Sequence, residues 1–229
     1  MKVKLFSIFV FCILLINGSI SAQEEHLMYS PDFYYNEGNN SYNAQDYGDA
    51  IYFYEKALIL DPSYGDAKHN ITLAKDKLNV DVVELESFFL YRWIQNVGFY
   101  FSAGTWKIIS FIMLFAIGLL VYLLWIKKSI SAKQMIRIGS ACFSVFLLSI
   151  VFGQLNYNRV FNNSFYIIGD HVEALKQGPD DVSADVKDVT NGVKVKVIDE
   201  IKEWSKVATM DSEQGWVKTD HLRPLKFTK

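Results

Sequence analysis

The sequence predicts a multi-domain membrane protein: an α-helical hairpin with a capping helix, a two-helix transmembrane hairpin, and a C-terminal all-β small barrel. Three observations predict it. Apolar residues gather in an N-terminal run and two central runs, small residues recur at helical spacing ahead of the central runs, and valines alternate with lysines after them. With 51% hydrophobic residues over 229 positions, the chain is richer in apolar side chains than most soluble domains.

Residues 1–22 carry Lys2 and Lys4, an apolar run from Leu5 to Ile16, and then small, turn-prone residues ending at Ala22. Charged, then apolar, then small is the pattern of a secretory signal peptide, with an uncleaved anchor as the alternative. The two cysteines, Cys12 and Cys142, both fall inside apolar runs, so no disulfide framework or metal site is expected.

Between Pro31 and Tyr64, the residues Gly38, Ala50, Tyr54, Ala57 and Pro62 are spaced as in a two-helix unit of about 34 residues. Gly38 and Ala50 are small where antiparallel helices must touch. Tyr54 and Ala57 continue the inner face, and Pro62 ends the second helix. These residues resemble a tetratricopeptide repeat, which implies a protein-binding scaffold. Tyr34, Glu37 and Ser41 depart from the family pattern in the first helix. Ala67, Asn70, Ile71, Ala74 and Leu78 then read as a capping helix, giving a TPR-like domain over residues 23–80. Tyr35, Tyr42, Tyr52 and Phe53 lie off the inner face, either lining a peptide groove or sharing in helix packing. One repeat and a cap bury little surface, so this unit is expected to lean on a partner, a second copy or the aromatic stretch that follows. That stretch, within residues 81–105, reads either as an interfacial helix on the membrane or as a third packed helix.

The first central run, residues 106–126, is long enough at about 1.5 Å per residue to cross a hydrocarbon core of about 30 Å. The second, residues 135–152, is about as short as a spanning helix can be. Trp106, Tyr122 and Trp125 suit interfacial anchoring. Gly118, Gly139, Ser140 and Ser144 would permit close helix approach. Between the runs stand Lys127, Lys128, Lys133 and Arg137 without one acid, in and beside the loop of residues 127–134. Short basic loops stay on the cytoplasmic side, so both large flanks are expected outside, facing the periplasm from a bacterial inner membrane. Residues 23–105 hold thirteen acids against five bases, which argues against nucleic acid as a partner.

A polar stretch, residues 153–165, reads as a linker or membrane exit. In residues 166–229, Val193, Val195 and Val197 alternate with Lys194 and Lys196, the period of a half-buried strand. Gly192 and Gly215 suit tight turns, and Trp204 and Trp216 supply large buried area. The arrangement resembles a bacterial SH3-like domain. For the two tryptophans, core packing and a shallow groove for an extended peptide or cell-wall fragment both remain open.

The four histidines are scattered singly, and no short motif of hydrolases, redox enzymes or nucleotide binders occurs. A noncatalytic protein without cofactors is expected. The order of signal peptide, repeat, two membrane helices and SH3-like domain resembles the BatE-type family of the Bacteroides aerotolerance operon. That resemblance implies a member of a stress-related envelope complex, beside von Willebrand A domain membrane proteins, a BatD-type protein and a MoxR-type ATPase. The expected role is an adaptor in contact with membrane lipid and other proteins; the alternative is a peptidoglycan sensor acting through the SH3-like domain.

Overall fold

The computed structural model describes residues 30–78, 97–127, 132–169, 172 and 174–228. The expected signal peptide, Lys128, and residues 81–96 of the aromatic stretch lie outside the described residues.

Helix α1 (Pro31–Asn43) starts where Ser30 accepts from the Phe33 amide at 3.2 Å, with a proline in its first turn. Helix α2 (Tyr47–Leu60) starts on Asp46, which accepts from the Asp49 amide at 3.1 Å, and stops at Asp61 and Pro62. Helix α3 (Gly65–Lys77) buries only Ala67, Ile71 and Ala74, the narrow stripe expected of a cap. Gly38 is buried under Tyr54, whose ring would lie 2.5 Å from any added Cβ.

Helices α4 (Ala103–Lys127) and α5 (Ala132–Phe161) pack against each other, and both are long and apolar enough to cross a membrane. Their apolar faces are largely exposed, as at Ile112, Phe115, Phe143 and Val151. Three expectations are corrected here. Of the two readings of residues 153–165, a linker or a membrane exit, the linker is corrected: the stretch is helical as far as Phe161. Its amides sustain the helix: Gln154 donates to Asn158 at 3.0 Å, Asn156 to the Phe152 carbonyl at 2.9 Å, and Asn162 to Asn158 at 3.1 Å. Trp106, read as an interfacial anchor, is buried, and its Nε1 donates to the Gly98 carbonyl at 2.8 Å. Asn156 donates to the same carbonyl at 2.6 Å, which fastens the end of the aromatic stretch to α5. Finally, Gly139 faces open space, and the Ser140 and Ser144 hydroxyls bond back to their own helix, so these residues do not mediate helix contact.

The C-terminal part is an antiparallel sheet of β1 (Phe165–Ile168), β2 (Ala174–Lys176), β3 (Asp185–Asp188), β4 (Lys194–Ile201), β5 (Trp204–Thr209), β6 (Gln214–Lys218) and β7 (Leu222–Pro224). The strand order is β3-β2-β6-β5-β4-β1-β7. Where the sequence predicts a barrel, β3 and β7 remain edges, with no pairing between them among the described residues. The expected valine alternation is present: Val195 is fully buried, with Val193 and Val197 packed beside it in a core that also holds Leu175, Val207 and Val217. Gly215 is not at a turn; it lies within β6, where an added Cβ would meet Leu175 at 2.6 Å.

The helical unit leans on this sheet. Ile167 and Leu225 belong to the same buried cluster as Ile51, Tyr54 and Ala57 of α2, while the next residue, Ile168, faces the sheet's own core. One short strand thus serves two cores. The contact is close at the turn before β4, where Gly192 adopts a φ of +82° and an added Cβ would stand 2.9 Å from Ile51 and 3.2 Å from the Gly48 Cα.

Replacing Gly192 with Ala therefore combines left-handed backbone strain with a clash at α2. A loss on the order of 1–3 kcal/mol is expected, read by denaturant unfolding, with faster amide exchange in both α2 and β4. An unchanged midpoint would mean that the two units do not meet at this turn.

Candidate functional site

The residues that mark the repeat all work in packing. Ala50, Tyr54 and Ala57 are buried against α1 and α3, and the Tyr54 hydroxyl donates to Asn39 at 2.8 Å. Asn70 of α3 donates to that same Asn39 oxygen at 3.0 Å, so a small polar network ties the three helices together. Burial raises the pKa of Tyr54 above the usual phenol value.

The four aromatic groove candidates separate. The Tyr35 ring packs against Tyr54 and Tyr64, with centroids at 5.8 and 5.1 Å, and Tyr42 meets Tyr47 edge-on at 5.2 Å. Tyr52 and Phe53 meet each other at 5.3 Å, on the side of α2 that faces the sheet. No ring contact joins the first two to the second two among the described residues.

What lies over Tyr52 is the chain's own C-terminal segment. The Arg223 guanidinium stacks 3.9 Å from the Tyr52 ring centroid and pairs with Asp49, and the Tyr52 hydroxyl donates to the Pro224 carbonyl at 3.4 Å. One turn further along α2, the Lys56 ammonium sits 4.1 Å from the Phe227 ring and donates to the Lys226 carbonyl at 3.3 Å. Tyr34 of α1 meets the other side of the contact, edge-on to Phe227 at 5.5 Å. Glu55 accepts from Lys194 of β4 at 2.7 Å. Sequence reasoning missed Asp49, Glu55, Lys56, Lys194, Arg223 and Phe227. Charged residues beside an apolar stripe look like a solvated face, and only the sheet's position buries them.

In the sheet, Trp204 and Trp216 are each 8% exposed and line one cavity of about 280 Å³. Two ion pairs stand at it, Lys176 with Asp185 at 2.6 Å and Lys218 with Asp181 at 2.9 Å. Lys218 also lies 5.6 Å from the Trp204 ring centroid, and its bond to Asp181 raises its pKa. Both indoles are largely buried, as core packing requires, and both residues also line the cavity. His221 lines the same cavity beside Asp220, 3.6 Å away. Among the described residues no group of acids, histidines and cysteines is placed to hold a metal ion.

Of the basic loop residues, Lys127 ends α4, and Lys133 and Arg137 are exposed on the first turns of α5. They stand at the end of the hairpin opposite to the sheet, which begins at Phe165 just after α5.

Residues 31–64 match the family model of the tetratricopeptide repeat. The match covers α1, α2 and the turn into α3. Such repeats mediate protein–protein interaction. No curated protein and no solved structure matches the chain.

Burial and the nearby Arg223 lower the pKa of Lys56 to about 8. Between about pH 8 and the unfolded value of 10.5, the folded chain binds fewer protons than the unfolded chain, so stability rises with pH across that window. Lys56→Met is expected to remove this rise, as the difference between wild-type and variant unfolding curves measured from pH 7 to 10.5. An identical pH slope in both would show that Lys56 keeps its ordinary pKa in the fold.

Proposed function

We propose that this protein is a noncatalytic, membrane-anchored adaptor that holds a protein-binding repeat and a small SH3-like sheet on one side of a bacterial inner membrane. The observation that carries the reading is the packing of α2 on β1 and the C-terminal segment, at the end of the apolar hairpin away from its basic loop. The flanks of a chain that crosses a membrane twice emerge on the same side, where they are free to meet; a single crossing would separate them. With Lys127, Lys128, Lys133 and Arg137 held in the cytoplasm, both units face the periplasm.

The order of parts resembles the BatE-type family, and on that resemblance the partners are von Willebrand A domain membrane proteins and a BatD-type protein of an aerotolerance complex. The exposed apolar faces of α4 and α5 suit membrane lipid and neighbouring membrane helices. A second reading rests on the cavity lined by Trp204 and Trp216: two aromatic residues flanked by paired charges suit a peptidoglycan fragment, which would make the sheet a cell-wall sensor.

Single cysteines introduced at Ser63, Ser131 and Ser183, in a chain with Cys12 and Cys142 replaced, test the orientation in intact cells. An impermeant thiol reagent is expected to label the first and third positions and to spare Ser131→Cys. Labelling of the loop position alone would reverse the orientation and remove the periplasmic adaptor.

A further inference from the structure

The segment from Arg223 to Phe227 lies on α2 as an extended peptide lies on a receptor. Its side chains alternate strictly: Arg223 half-buried, Pro224 exposed, Leu225 fully buried, Lys226 exposed, Phe227 half-buried. Each inward side chain meets a different feature. Arg223 takes the Asp49 carboxylate and the Tyr52 ring, Leu225 enters the shared apolar cluster, and Phe227 fills the space between Lys56 and Tyr34. The two outward residues contribute their carbonyls, Pro224 to the Tyr52 hydroxyl and Lys226 to the Lys56 ammonium. Main-chain bonds that tolerate any sequence, with alternate side chains in separate sites, are how extended peptides are recognised.

We propose that this face of α1 and α2, beside the Arg223 end of β7, is an extended-peptide-binding site selective for leucine and an aromatic residue at alternate positions, and that the chain's own C-terminal segment after Pro224 occupies it. The inference rests on the reading of the helical unit as protein-binding and names the site and its ligand class. A partner carrying the same pattern reaches the site only by displacing the tail, so the tail sets a threshold that a competing segment must exceed.

The site is defined by helix-borne groups that remain when the tail is removed. Asp49, Tyr52 and Lys56 sit at i, i+3 and i+7 of α2, a single face of the helix. Lys56 is the discriminating residue. Lys56 is buried, and its ammonium is received by the Phe227 ring at 4.1 Å, the Lys226 carbonyl at 3.3 Å and, more distantly, the Tyr52 ring at 5.6 Å.

The test uses the chain in detergent micelles, shortened by stopping after Pro224 so that β7 is retained, together with a fluorescein-labelled peptide of residues 225–229, Leu-Lys-Phe-Thr-Lys. The shortened chain is expected to bind the peptide with an anisotropy change that the full-length chain shows about tenfold more weakly. Replacing the peptide's leucine or phenylalanine by alanine, or introducing Lys56→Glu, is expected to weaken binding by about tenfold or more. If the shortened chain loses its near-ultraviolet tryptophan signal, recovery of that signal on adding peptide is the readout, and it supports the proposal equally.

A folded shortened chain that binds nothing up to about 1 mM peptide overturns the proposal. So does an unfolded one that the peptide fails to restore. Binding that is indifferent to the leucine, the phenylalanine and Lys56→Glu overturns it too. None of these results depends on which way the basic loop faces, so failure here is distinguishable from failure of the membrane orientation.

Discussion

A single two-helix repeat with a cap has too little apolar surface to fold around itself, and the structure is organised by how that deficit is met. The outer face of α2 is laid on β1 and the C-terminal segment, so that Ile51 shares a buried cluster with Ile167 and Leu225. The alternation of strand side chains makes this economical. Ile167 is turned to the helices and Ile168 to the sheet's own core, so four residues of β1 join two cores. The sheet gains as well, because the β7 edge, which would otherwise offer unpaired backbone groups, has Tyr52 over it, donating its hydroxyl to the Pro224 carbonyl.

Charge decides the register of that contact. Asp49, Glu55 and Lys56 project from one helix and find Arg223, Lys194 and the Phe227 ring with the adjacent carbonyl. Partly buried pairs of this kind contribute little net stability against an apolar alternative, but a mismatch leaves an uncompensated charge and is strongly disfavoured. A slip of α2 along the sheet would break all three at once. Apolar contact supplies the drive to associate, and the ion pairs select one arrangement.

The consequence is mechanical as well as structural. Phe227 donates its amide to the Val160 carbonyl at 2.9 Å, so the tail that lies on the repeat is also fastened to the end of α5. Asn163 caps the same region through the Arg159 carbonyl at 2.6 Å and the Phe165 amide at 3.1 Å. The exit from the apolar hairpin, the first strand and the last residues of the chain therefore converge at one place, beside α2.

Much of this was legible in the sequence, wherever a signal is local. The spacing of Gly38, Ala50, Tyr54, Ala57 and Pro62 reads as two packed helices because small residues must lie where backbones approach. The alternating valines read as a strand because side chains change face at every residue. The apolar runs read as long helices because a helix satisfies its backbone groups within one continuous segment, without water or a partner strand. The reading failed where a residue's role depends on what arrives from far along the chain. Gln154 to Asn163 look like a linker, yet their amides bond within a helix that neighbouring segments hold. Lys56 looks solvated, and its burial is set by Phe227, 171 positions away. The same limit applies to Tyr35, Tyr42, Tyr52 and Phe53, which look alike in sequence and part company in space. Sequence by itself determined the elements and their order, because periodicity and local sterics act over a few residues. Which faces met, and hence which side chains were removed from water, only the tertiary structure decided, because burial is a property of the pair of surfaces and neither surface carries it alone.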